Sequence, residues 1–320
     1  MGKRIDRIIR VIELLADGKF HSGEVIGREI GVTRTAISEY IKDIQKLGLD
    51  VFRVTGKGYR LHAPLQLIDT NIAHDLVCER VVTSTNDLIR ERLRDKSELP
   101  AGYAIVAEAQ TAGRGRRGKN WFSPFGSNLY ISLYWPLERG MTAAMGLSVA
   151  IGTVIAEVLQ SYGVANTAVK WPNDVLASGR KLAGVLIELE GNAVESAHAV
   201  IGVGINVDMP KHMQAPIEQP WTDLSTELEQ RVDRNALVKD LVVAFREGLA
   251  VFEREGLAAF LSRWQQFDQL VGREVTILVG DKKIRGTAVG IANDGGLNVE
   301  VEGVVQKYHA GEVSLRDANV

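Results

Sequence analysis

Residues Thr111 to Asn128 read TAGRGRRGKNWFSPFGSN, which places three arginines, one lysine and four glycines in one loop. Glycines let backbone amides turn toward an anion, and arginines neutralise the charge that arrives, so the expected guest is a carboxylate or a phosphate. Two familiar nucleotide patterns fit only in part. Gly113, Gly115 and Gly118 satisfy G-x-G-x-x-G after the apolar run Ala104 to Ala109, which reads as a strand ending in Gln110. That fingerprint must open a helix, and the following KNWFSP cannot propagate one. Gly113 to Asn120 also fits the phosphate loop G-x-x-x-x-G-K, except that Asn120 stands where a Ser or Thr would hold magnesium. A basic surface loop touching nucleic acid remains the plainer alternative.

Four further runs carry polar chemistry. Ser84-Thr85-Asn86 can cap a helix over Asp87 to Arg94, and the same hydroxyls and amide suit a polar, uncharged ligand group. In Val169-Lys170-Trp171-Pro172-Asn173-Asp174, Pro172 forces an extended residue before it, putting Lys170 at a strand end and Asp174 in the turn beyond. Gly179-Arg180-Lys181-Leu182-Ala183-Gly184 leads into a strand through Glu188. Ala199 to Val207 reads as a buried strand whose Gly202 and Gly204 permit close backbone approach.

Together these segments resemble the biotin protein ligases. The family's G-R-G-R-x-G loop with a following aromatic, S-T-N, K-W-P-N-D, G-R-K-L-x-G and G-x-G-x-N are all matched. The resemblance implies that Ser84, Thr85, Asn86, Gln110, Arg114, Gly115, Arg116 and Lys181 bind biotin. It implies that Arg114, Arg116, Lys170, Asn173, Asp174 and Trp221 serve the adenylate, with an adenine stacking on Trp221. Lys181, Arg116 and Asp174 are the implied catalytic groups.

Elements must position these residues, and the chain is long enough for several units. At 320 residues and 45 % hydrophobic content it can bury substantial cores. Its single cysteine, Cys78, excludes an internal disulfide framework and fits a reducing compartment as a packed thiol. The N-terminus lacks a signal-peptide core, and the longest weakly charged run, Met141 to Ala156, falls short of the roughly 20 residues of a membrane span. A cytoplasmic protein is expected. The net charge of -2 hides an asymmetry: residues 1 to 62 carry +4 and the remainder -6, so the N-terminal part suits a polyanion.

The apolar spacing there predicts three helices: one through Ile5 to Leu15, a second from a Ser22 cap to Gly31, and a third capped by Thr33. The third turns Ile37, Tyr40, Ile41 and Ile44 inward and Arg34, Thr35, Ser38 and Lys42 outward. Val51 to Val54 and Tyr59 to Leu61 form a hairpin. This is a winged helix-turn-helix, assigning Arg34, Thr35 and Ser38 to bases and Arg53 and Lys57 to phosphates, with Lys42 beside them. Ala63-Pro64 marks the boundary.

In the centre, a helix over Asn71 to Cys78, a strand from Asn128 to Trp135, a long apolar helix from Ala143 to Gln160 and two helices over Arg234 to Gln266 are predicted. Four short strands from Val275 to Leu315 indicate a small all-β barrel, resembling the SH3-like cap of larger biotin protein ligases. The expected fold is α+β and multidomain: a winged helix-turn-helix at 1–63, a mixed α/β ligase domain at 64–268 and an SH3-like β-barrel at 269–320.

The resemblance is greatest to the bifunctional members, in which a ligase also represses the biotin biosynthetic operon. It implies adenylation of biotin by MgATP, transfer to a lysine of the biotin carboxyl carrier protein of acetyl-CoA carboxylase, and binding of operator DNA by a ligand-linked homodimer. The implied small molecules are biotin, ATP and Mg2+, with Asp174 orienting Mg2+ or ATP and no tightly bound metal. A sensor that binds biotin without turnover, and a ligase for another acid such as lipoate, stay open.

Overall fold

The N-terminal helices form where caps and apolar spacing coincide. In the computed structural model, which describes residues 2–70, 75–95, 98–191, 197–210, 217–309 and 311–315, α1 spans Gly2–Leu15, α2 Gly23–Ile30 and α3 Arg34–Lys46. Ser22 Oγ accepts the Val25 N–H at 3.1 Å and Thr33 Oγ1 accepts that of Ala36 at 3.3 Å, each satisfying an amide that a helix start leaves orphaned. Gly31, at φ 69°, ends α2 in the left-handed region. Ile8, Ile12, Ile26, Ile37 and Ile44 meet in one core. The antiparallel wing follows as β1, Val51–Val54, and β2, Gly58–Leu61.

The central sheet contains β3 (Leu76–Val82), β4 (Ala104–Gln110), β5 (Asn128–Leu137), β6 (Thr167–Lys170), β7 (Asp174–Ala177), β8 (Arg180–Gly191) and β9 (Ala197–Asn206). Their order is β3-β4-β5-β9-β8-β7-β6, and only β3 and β4 pair in parallel. One face carries α4 (Thr85–Arg94), packed through Ile89 onto Ile105, Tyr134 and Val200. Alternation along β5 sends Leu129, Ile131 and Leu133 to the other face, where α5 (Leu147–Ser161), α7 (Arg234–Glu255) and α8 (Ala258–Gln265) complete the main core. A short α6, Leu224–Leu228, precedes α7.

Several expectations need correction. Residues 76–78, assigned above to a helix, open β3, because Leu76 and Cys78 pair with Ala104 and Val106; residues 71–74 lie outside the described residues. The apolar run is a 3-10 turn, Met141–Ala144, then α5, separated at Met145 and Gly146, the latter at φ 79°. Met141–Ser161 is long and apolar enough, by length and composition, to cross a membrane, although over half of it is buried inside the protein.

The C-terminal unit is an antiparallel sheet of β10 (Glu274–Val279), β11 (Lys282–Ile291), β12 (Leu297–Val301), β13 (Val304–Tyr308) and β14 (Glu312–Leu315), in the order β13-β12-β11-β10-β14. β13 is a fifth strand beyond the four expected from the apolar spacing. Val275, Ile277 and Val299 continue the main core, and Trp171 Nε1 donates to the Gly295 carbonyl at 2.8 Å. This unit therefore abuts the site.

Candidate active site

One cleft, with about 220 Å3 of free space, opens where the glycine–arginine loop crosses the ends of the central strands. Ser84, Thr85, Asn86, Gln110, Arg114, Gly115, Arg116, Lys170, Asn173, Asp174 and Lys181 all line it, so eleven positions chosen from the sequence converge. Trp221 does not. Its backbone bridges to that of Lys181 beside the cleft, and Gln219 is the nearby residue that reaches the wall.

The polar end is built from α4 and β4. Ser84 occupies the N-cap position, yet its hydroxyl makes no capping bond. Instead Thr85 donates its N–H to Gln110 Oε1 at 2.9 Å, and Ser132 Oγ donates to Asn86 Oδ1 at 2.5 Å. Gln110 Nε2 in turn donates to Ser123 Oγ at 3.1 Å, tying the triplet to the loop. These groups are held by one another before any ligand arrives.

The floor needs glycine. A Cβ on Gly204 would lie 2.4 Å from the Trp121 ring, and one on Gly202 would lie 2.6 Å from Asn86 Oδ1. The close approach expected of these two positions is thus made by two named side chains. Trp121, the aromatic that follows the G-R-G-R-x-G run, lies under Lys181, whose Nζ is 5.4 Å from a ring centroid.

The cationic end comes from the β7–β8 hairpin and the loop. Ser178 and Gly179 both have positive φ, 50° and 76°, and close a two-residue turn that starts β8 at Arg180. Lys181 is therefore a strand residue. Asp174 is also in a strand, paired with Lys170 at the start of β7 rather than lying in the turn. The carboxylate reaches Lys181 Nζ at 2.7 Å. Arg116 donates to Asn173 Oδ1 at 3.3 Å, and Asn173 is itself fixed by donating to the Val185 carbonyl at 2.9 Å. The loop backbone turns through Arg117 and Gly118 at φ 55° and 73°, a conformation Gly118 adopts without strain.

Arg114 is engaged differently. It makes a two-pronged ion pair with Asp87 and also approaches Glu188, neither of which the sequence motifs singled out. The Arg114 hydrogen bonds hold the Asp87 carboxyl below its ordinary value of 3.8.

The cleft fits a ligand with a polar head and an anionic tail. Trp121 Nε1 is buried without a hydrogen-bond partner, and Asp174 Oδ1 is buried outside hydrogen-bonding geometry although it touches Lys181. Such groups are costly unless something completes them. Among the described residues, no group of three His, Cys, Asp or Glu side chains is placed to hold a metal ion.

On the N-terminal unit, Arg34, Thr35 and Lys42 are exposed and Ser38 is half-buried, with Lys42 donating to Glu39 at 2.8 Å. Arg53 lies over Tyr59 and Lys57 over Phe20. Arg60, unremarked above, packs between Phe20 and Phe52.

Comparison with known proteins places these features in a family. Residues 78–206 match the biotin/lipoate A/B protein ligase family, 270–316 the biotin protein ligase C terminal domain and 7–60 a helix-turn-helix domain. The chain is 46 % identical to the bifunctional ligase/repressor BirA of Salmonella typhimurium, over 97 % of this chain and 98 % of that protein. Its identity to the Escherichia coli protein of the same name is 44 %, covering 97 % of each. The solved structure of the Aquifex aeolicus biotin protein ligase with biotin and ATP superposes with a TM-score of 0.65 at 27 % identity, covering 77 % of this chain and all of that one.

Proposed function

The chain belongs to the biotin/lipoate A/B protein ligase family, among its bifunctional ligase/repressor members, and from that premise we propose that it activates biotin with ATP, transfers it to a carrier lysine and represses transcription. The observation that carries the reading is the meeting, in one cleft, of the polar triplet Ser84-Thr85-Asn86 with Lys170, Arg116 and the Lys181–Asp174 pair.

The first step brings two anions together. A carboxylate oxygen of biotin bonds to the α-phosphorus of ATP while the bond to pyrophosphate breaks, giving biotinyl-adenylate. Lys181, steadied by Asp174 and the Trp121 face, neutralises the carboxylate and the α-phosphate oxygen as charge builds. Arg116 and Lys170 serve the phosphates, and Asn173 holds Arg116 in position. Each charged donor is worth on the order of a few kcal/mol, or about a hundredfold in rate. Ser84, Thr85, Asn86 and Gln110 orient the biotin head. When bound with ATP, Mg2+ would lower the phosphate charge, and Asp174, which lines the cleft, would be the carboxylate to orient it. In the second step, the uncharged amine of the carrier lysine attacks the acyl carbon, AMP leaves and the amine loses a proton. The acceptor is the biotin carboxyl carrier protein of acetyl-CoA carboxylase.

Repression follows from the N-terminal unit. Arg34, Thr35 and Ser38 read operator bases while Lys42, Arg53 and Lys57 meet phosphates. Ordering of the loop around the adenylate favours a homodimer, which presents two winged helices to two half-sites. Sedimentation of the protein with and without adenylate checks this, and equal dimer affinities would rule it out.

The deciding assay is ATP–pyrophosphate exchange with biotin, lipoate or octanoate. Exchange that requires biotin is expected. Exchange driven by lipoate, or tight biotin binding with no exchange, would overturn the reading.

A further inference from the structure

Asp87 follows the Ser-Thr-Asn triplet directly and has no role in the reaction described above. It sits in the first turn of α4, and its two oxygens take both terminal nitrogens of Arg114, at 2.8 and 2.7 Å. Glu188, from β8, approaches the same guanidinium at 3.3 Å and accepts from Asn86 Nδ2 at 2.7 Å. One helical turn on, Arg90 lies 3.6 Å from Glu188 and pairs with Glu190 at 2.5 Å. Charge around Arg114 is therefore already compensated inside the protein. Turning this guanidinium toward an incoming phosphate would abandon two carboxylates, each about three-quarters buried.

We infer that Asp87 is a positioning residue: through Arg114 it latches the first half of the glycine–arginine loop onto α4, beside Asn86, before substrate binds. The phosphate work then falls to Arg116, Lys170 and Lys181. A two-pronged arginine–carboxylate pair fixes orientation as well as distance, which a loop of four glycines lacks by itself. The latch also explains why Gly115 and Lys119 can keep their 2.7 Å backbone bond, since one end of the turn is anchored.

A competing account is local. An acidic residue in the first turn interacts favourably with the helix dipole whether or not Arg114 is present. The two accounts differ in how Asp87 and Arg114 combine. Partners in one contact are non-additive on double substitution, whereas independent contributors add.

The test uses the full chain carrying Asp87→Asn, Arg114→Gln or both. Tryptic cleavage after Arg116 and Arg117 in the ligand-free protein is followed by mass spectrometry. Each single variant is expected to be cut roughly tenfold faster than wild type, with no further gain in the double variant. Asp87→Glu should recover part of the protection. Wild-type cleavage rates in Asp87→Asn, or effects that multiply in the double variant, would overturn the latch, even if melting temperature fell. The kinetic readout rests on the ligase reading: in biotin-dependent exchange, Asp87→Asn should raise the KM for biotin about tenfold and leave kcat within about twofold. A lowered kcat at unchanged KM would count against it. Should the wild type show no exchange, the ligase reading fails, and the cleavage comparison still decides the latch.

Discussion

The backbone N–H of Phe125 donates to the carbonyl of Leu47 at 2.7 Å. Leu47 caps the end of α3, the helix assigned to DNA, while Phe125 lies in the closing turn of the glycine–arginine loop, and its fully buried ring joins the N-terminal core. Leu65 adds a second tie by donating its N–H to the Ala16 carbonyl at 2.9 Å. The N-terminal core therefore extends past Ala63-Pro64, taking in Ala109 and Phe125.

Removing that ring should be felt in both units. Phe125→Ala is expected to cost about 3–5 kcal/mol, the usual range for emptying a packed aromatic site. Calorimetry should show the loss in the unfolding transition that includes the N-terminal helices. A variant as stable as wild type would mean that the ring is not holding the units together.

Lys181→Ala should lower biotin-dependent exchange by about a hundredfold to a thousandfold, mostly in kcat, because its charge matters as the transition state forms. Lys181→Arg is expected to recover little. The planar, larger guanidinium cannot occupy the slot between Asp174 and the Trp121 face as a compact ammonium does. Full activity in the arginine variant would show that charge alone is sufficient there.

Gly204→Ala tests the floor. The new methyl would meet the Trp121 ring at 2.4 Å, so the indole must move from beneath Lys181. Biotin affinity should fall at least about tenfold by calorimetric titration, with melting temperature shifted by a few degrees at most, since an overpacked edge costs about 1–3 kcal/mol. Unchanged affinity would place biotin away from this floor.

Much of this was legible in the sequence because it is local. The Ser22 and Thr33 caps, the β4 strand ending at Gln110 and the tight approach at Gly202 and Gly204 all follow from residue type and short spacing. What escaped is long-range. Asp87 is 27 positions from Arg114, and Glu188 is 74 from it, so no spacing rule could join them. Leu76 to Cys78 differ from the helix expected there because three apolar residues without alternation fit a helix or a strand, and only their pairing with β4 decides. Asp174 entered a strand because the turn after Lys170 closes one residue sooner than the motif suggested. Val304–Tyr308 was missed because it lies at the sheet edge with little burial, leaving no apolar alternation to read.

DNA binding should separate base readers from phosphate contacts. Lys57→Ala is expected to weaken binding to operator and to unrelated DNA alike, and to reduce the slope of log affinity against log salt by about 1. Arg34→Ala should cost about 1–3 kcal/mol on operator only and relax preference at one base position. Quantitative footprinting across a salt series distinguishes the two. A Lys57 variant with the wild-type salt slope would remove the wing from the phosphate contacts.

Burial pushes the Cys78 thiol from an ordinary 9.0 up to about 12, with the buried Glu108 carboxylate adding to the rise. The reactive form is the thiolate, so at pH 8 the folded protein should alkylate with iodoacetamide roughly a thousandfold more slowly than a free thiol, and denaturant should restore the rate. The sign for stability follows. An acid whose value is raised by folding is neutral in both states at pH 7, but above 9.0 the unfolded thiol ionises while the native one does not, so the native state loses stability as pH climbs from there. Cys78→Ser should flatten that alkaline loss. A thiol that reacts at the free rate in native protein would show that Cys78, beside the Ile68 carbonyl at 3.7 Å, is open to solvent rather than packed.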